Sequence, residues 1–157
     1  MPARTIFLFA AMLVVVPALR AADDPFIGTW KLNLEKSKYS LGSLPMSSKN
    51  TYEAAPGGGL KLTVTTVMAE GTPSIIERIE RYDGKPHPVQ KERSGADAIS
   101  TTRIDNYTIE VLSYKHGKIV TRLTRRISGD GKSMTSTSKG TNAQGQKFEE
   151  FRFFDRQ

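Results

Sequence analysis

The stretch Phe26-Ile27-Gly28-Thr29-Trp30-Lys31-Leu32-Asn33-Leu34 decides the fold. Phe26, Gly28, Trp30, Leu32 and Leu34 fall on one side of an extended chain. Ile27, Thr29, Lys31 and Asn33 fall on the other. A period of two is the pattern of a half-buried strand. The same alternation returns at 49–55, 60–69, 74–82, 98–104, 107–114, 118–128, 133–139 and 146–155. Turn chemistry separates these runs: Pro56-Gly57-Gly58-Gly59, Gly71-Thr72-Pro73, the breaker from Asp83 to Pro88, Asp105-Asn106, His116-Gly117, Gly129-Asp130-Gly131 and Gly140 to Gly145. Residues 35–48 are polar and irregular and are expected to hold at most one short helical turn. No dozen residues carry helical periodicity. The prediction is all-β: an antiparallel up-and-down meander of about 8–10 strands closed into a barrel.

The chain has 157 residues, with 23 Lys+Arg against 16 Asp+Glu, two His and no Cys. That length suits one domain. The absence of Cys excludes disulfides, thiolate metal sites and Cys nucleophiles. A formal charge of +7 invites a nucleic-acid reading, but glutamates interleave the basic stretch 122–126 and no RNA-binding motif is present. A weak contact with an anionic envelope surface suits this charge better. Residues 1–21 place Arg4 before the apolar run Ile6 to Val16, then Pro17 and small residues at Ala18 and Ala21. This is the pattern of a secretory signal peptide cleaved after Ala21; a retained N-terminal anchor is the alternative. Its removal takes away Arg4 and Arg20, lowers the charge by two, and leaves 22–157 as the secreted or periplasmic domain. Asn106-Tyr107-Thr108 fits an N-glycosylation sequon, relevant only in a eukaryotic secretory pathway.

Phe26-Ile27-Gly28-Thr29-Trp30-Lys31-Leu32 resembles the opening strand of the calycin superfamily. Its Gly-x-Trp core occurs in lipocalins, and the longer string is similar to that of fatty-acid-binding proteins. Phe151-Arg152-Phe153-Phe154-Asp155-Arg156 resembles the closing strand of the latter. There Arg152 matches an arginine that contacts a ligand carboxylate, and Phe154 stands where the family has a tyrosine. Arg125 best matches the second buried arginine of that family. Residues 35–48 are too short for the family's helix-turn-helix lid. The resemblance implies a lipocalin-like barrel holding a small apolar or amphipathic, fatty-acid-like molecule. It also implies that Gly28, Trp30 and Arg156 close one end, with Trp30 plugging the barrel and Arg156 or Arg152 covering its ring.

Alternation supports this placement independently. Ile119, Thr121, Leu123, Arg125 and Ile127 share the more apolar parity. The expected ligand contacts are Arg125, Arg152, Phe154, Leu123, Thr121, Val64, Ile76 and Val111. Leu60, Leu62 and Ile109 are also expected inside, and Thr66, Thr121 and Ser136 make the interior partly polar. A buried arginine needs a partner. Either a ligand carboxylate or an internal glutamate (Glu150, Glu80 or Glu110) would serve. His87 and His116 sit at turns without metal-ligand spacing. Glu77, Glu80, Glu149 and Glu150 lack a catalytic context, and no nucleophile elbow occurs. No enzymatic activity, metal, cofactor or nucleic-acid partner is therefore expected, and the protein is read as a monomeric binding protein. The alternatives are a filled barrel serving as an interaction module, or a hydrolase or isomerase built in a calycin cup.

Overall fold

The computed structural model describes residues 24–41, 44–90, 92 and 95–157. The expected leader, 1–21, lies outside them. Ten strands follow one another: β1 (Gly28–Tyr39), β2 (Ser47–Ala54), β3 (Leu60–Val67), β4 (Pro73–Glu80), β5 (His87–Pro88), β6 (Ala98–Asp105), β7 (Thr108–Lys115), β8 (Lys118–Ile127), β9 (Ser133–Thr141) and β10 (Lys147–Arg156). They form one antiparallel sheet in the order β4-β3-β2-β1-β10-β9-β8-β7-β6-β5. Each of the nine expected strands is present, and the two-residue β5 is added. The sheet is a meander in which sequence neighbours pair, except β4 and β5, while β1 and β10 pair through Trp30–Arg156 and Leu32–Phe154.

Curling brings distant strands face to face. Glu80 at the end of β4 reaches Arg125 on β8 across the interior, Nη1 to Oε1 at 2.8 Å. Hydrogen-bonded closure is less complete than expected. Between β4 and β5 the chain meets β6 at an isolated bridge, Asp83 with Thr102, where the Gly84 N–H also donates to the Thr101 carbonyl at 3.0 Å. Elsewhere β4 and β5 remain the sheet's edges. The breaker at Asp83 to Pro88 explains the seam, because Pro86 and Pro88 have no N–H to offer a ladder.

Four local details differ from expectation. No helix occurs among the described residues, and β1 instead runs on to Tyr39. Its polar half is held by side chains: the Lys36 N–H donates to Asn33 Oδ1 (3.1 Å), Ser37 Oγ to the Asn33 carbonyl (2.6 Å), and the Phe153 N–H to Ser37 Oγ (3.0 Å). These bonds stabilise a bulge that shifts the β1–β10 register between Asn33 and Lys38. The bulge interrupts the alternation, so Leu34, expected inside, is exposed. A second irregularity beside Ser113 and Tyr114 has the same effect on Ile119, also expected inside and also exposed. His87 lies in β5 rather than at a turn, whereas His116-Gly117 forms the two-residue β7–β8 turn with φ of 49° and 74°, the backbone of a tight hairpin.

The apolar core occupies one end of the barrel. Phe26, Trp30, Tyr52, Leu60, Leu62, Ile109, Ile127, Met134 and Phe154 are buried there. The Phe26 ring meets Tyr52 edge-on at 6.0 Å. Each such side chain stabilises the fold by roughly 1.5–3 kcal/mol relative to exposure.

Candidate functional site

The closed end is built on Trp30. Its indole N–H donates to the Phe26 carbonyl at 2.9 Å, and the Arg156 guanidinium lies 4.7 Å from the ring. Arg156 is held by the Gly131 carbonyl (3.0 Å) and by that of Ile27. Gly28 makes room for it: its φ is +127°, and a Cβ there would stand 3.2 Å from Arg156 Nη2. The Gly-x-Trp spacing thus leaves space for the cation that covers the tryptophan. Arg152, the other candidate for this cover, lies over Tyr39 instead, 5.5 Å from its ring.

Above this core lies a layer of buried charge. Glu80 is fully buried and Arg125 is 5% exposed. Glu80 Oε1 accepts from Arg125 Nη1 at 2.8 Å and from Arg78 Nη2 at 3.0 Å. Arg78 Nη1 also donates to Glu92 Oε1 at 2.7 Å. Burial alone would raise the Glu80 pKa, but Arg125 and Arg78 outweigh it and hold the carboxyl below its ordinary value. Burial pushes the Tyr52 hydroxyl well above its usual range.

The rest of the interior is a cavity of about 580 Å³. Leu32, Val64, Ile76, Val111, Leu123 and Phe154 supply apolar wall; Asn50, Thr66, Thr121, Ser136 and Ser138 supply polar wall. Arg78, Glu92, Arg125, Glu150 and Arg152 also border it, and Tyr39, Leu41, Pro45, Asn142, Gln144 and Gln146 ring its open side. Its volume lies within the range of small-molecule sites.

All eight side chains expected to meet a ligand, Val64, Ile76, Val111, Thr121, Leu123, Arg125, Arg152 and Phe154, line this one cavity. Leu60, Leu62 and Ile109 pack into the closed-end core instead. Both arginines find internal glutamates: Arg125 takes Glu80, and Arg152 takes Glu150. Glu110 pairs with Arg122, which is exposed. Arg78 and Glu92 were not foreseen. Arg78 shares the parity of Ile76 and Glu80 and was legible in that way. Glu92 follows no strand periodicity and carried no signal. His87 meets Asp83 at 2.8 Å and His116 lies 3.7 Å from Asp97. Among the described residues no group of three His, Asp or Glu side chains is placed to hold a metal ion.

Solved structures share this arrangement of strands. As-p18, an extracellular fatty acid binding protein, superposes with a TM-score of 0.57 at 15% identity over 85% of this chain and 97% of its own. The fluorescent protein UnaG gives 0.56 at 13% over 84% and 97%. Zebrafish ileal bile acid-binding protein complexed with cholic acid gives 0.51 at 14% over 85% and 99%. The fold is that of the calycin barrels, in its fatty-acid-binding-protein-like form. At these identities the likeness is one of fold. No protein-family model and no curated protein matches the sequence.

Proposed function

We propose that this calycin barrel is an exported carrier for one small apolar or amphipathic molecule held in its interior. The observation that carries the reading is the cavity of about 580 Å³, which has both apolar and hydrogen-bonding walls. An apolar tail would leave water against Leu32, Val64, Ile76, Val111, Leu123 and Phe154. Each buried methylene would contribute about 0.8 kcal/mol. The polar end would be oriented by Arg125, Arg152 and the hydroxyls between them. No step of chemistry is required of the protein. The solved barrels with this fold include an extracellular fatty acid binding protein and a bile acid-binding protein. That supports binding; export rests on the leader pattern of residues 1–21.

Native mass spectrometry of protein purified from its own host tests the reading. A stoichiometric small molecule is expected, together with a chain beginning near residue 22. Leu123→Trp, which places a bulkier ring in the cavity, should reduce that adduct while the thermal transition stays in place. An adduct-free wild type that also fails to bind the neutral dye Nile red would overturn it.

A further inference from the structure

The charges around the cavity are balanced before any ligand arrives. Arg78, Arg125 and Arg152 are matched by Glu80, Glu92 and Glu150: Arg125, Glu80, Arg78 and Glu92 form one cluster, and Arg152 with Glu150 a separate pair. The pairs are substantially buried: side-chain exposure is 6% for Arg125, 11% for Arg78, 12% for Glu92, 14% for Glu150 and zero for Glu80. Arg152, at 30%, is the most open of the six. A carboxylate entering this space would find each guanidinium already engaged by a glutamate. It would have to displace Glu150, or stand beside a like charge in a weakly solvated site. With Glu80 behind the wall counted, the three arginines are balanced by three glutamates, and these described charges sum to zero.

What the wall does offer is neutral hydrogen bonding. Thr121 lines the cavity, but its Oγ1, like Nε of Arg152, is buried behind the wall and out of a ligand's reach. Asn50, Thr66, Ser136 and Ser138, all buried, complete a wall of amides and hydroxyls. A hydroxyl can both donate and accept, and a carbonyl accepts without bringing a charge. Such groups can hydrogen-bond to Asn50, Thr66, Ser136 and Ser138 and leave the ion pairs intact. A ligand that does so offsets the cost of removing these side chains from water.

We propose that the cavity selects uncharged amphiphiles bearing hydroxyl or carbonyl groups and discriminates against the corresponding carboxylates, Glu80 and Glu150 being the residues that enforce this. The inference rests on the carrier reading above. It is tested by displacing Nile red from the full chain at neutral pH with two probes of equal tail length, monododecanoylglycerol and dodecanoate. The neutral ester is expected to bind about tenfold more tightly or better. In Glu150→Gln, which frees the Arg152 charge, dodecanoate is expected to gain about tenfold while the ester changes little. Wild-type protein that binds dodecanoate as tightly as the ester overturns the selectivity and leaves the carrier function standing; this arm needs no variant. A Glu150→Gln protein that unfolds like the wild type but gains nothing for dodecanoate overturns the role given to Glu150. If neither probe displaces the dye and no small molecule co-purifies, both the inference and the carrier function fall.

Discussion

Replacing Glu80 by leucine removes the carboxylate shared by Arg125 and Arg78. Arg78 keeps Glu92 at 2.7 Å, so the cost falls on Arg125, whose side chain is 6% exposed. At the 2.8 Å separation of Glu80 and Arg125, and an effective dielectric of about 20, the gross attraction is about 6 kcal/mol. Desolvation of both groups offsets much of it, so the pair as a whole adds little net stability. Removing one partner does not return the other to water, and an uncompensated buried charge costs about 3–5 kcal/mol. That is a large share of the roughly 5–15 kcal/mol available to a single domain. The double variant Glu80→Leu/Arg125→Leu removes both charges and should lie within about 2 kcal/mol of the wild type, more stable than Glu80→Leu alone. Urea unfolding at neutral pH measures all three. The sole tryptophan, Trp30, is fully buried and reports the transition by its emission. A Glu80→Leu variant within about 1 kcal/mol of the wild type would refute the reasoning. So would a double variant less stable than the single.

Other consequences follow from the same geometry. Because the folded carboxyl of Glu80 titrates below its ordinary value, the unfolded chain binds that proton first. The stabilisation is complete above the unfolded value of about 4.3 and is lost as pH falls through the folded one; acid titration of Glu80→Gln should show a flatter loss of stability than the wild type. Arg156→Ala should cost about 1–2 kcal/mol in urea and expose the Trp30 ring to acrylamide quenching, since the cation and its carbonyl bonds leave together. Gly59 has φ of +80°, and a Cβ there would overlap the Glu80 carbonyl; Gly59→Ala should lower stability by more than about 1 kcal/mol, seen as a lower melting temperature. Thr121→Val deletes a buried hydroxyl without a partner. Its melting temperature should hold or rise.

The strands were legible because one face of each is apolar and the turns between them carry glycine, proline, asparagine or aspartate. Parity alone brought Val64, Val111 and Leu123 to the same cavity. Parity failed at Leu34 and Ile119, where the backbone departs from strict alternation for reasons set by neighbouring strands. Ser37 illustrates this: its hydroxyl is ordinary in sequence, and its role appears only once Phe153 lies beside it. The seam was also hidden, because proline spacing marks a break without saying which strand lies across it. For the arginines, sequence left two partners open, ligand or glutamate. Glu80 and Arg125 lie on strands far apart in the chain, so only the curl of the sheet could choose between them.

The ladder between β1 and β10 sets a condition on how this chain is made. Nearly every other strand pair is a hairpin that can form as soon as its own residues are available, a local process with little loop to close. The closing ladder pairs Trp30 with Arg156, and the Gln157 N–H donates to the Thr29 carbonyl at 2.9 Å. Both the cover over the tryptophan and that rung therefore come from the end of β10, far along the chain from the strand they close. Until β10 is available the chain can hold hairpins but no finished barrel, and the buried plug at Trp30 must wait for its lid. Arrival of β10 against β1, rather than the appearance of any one hairpin, is the event that completes the fold.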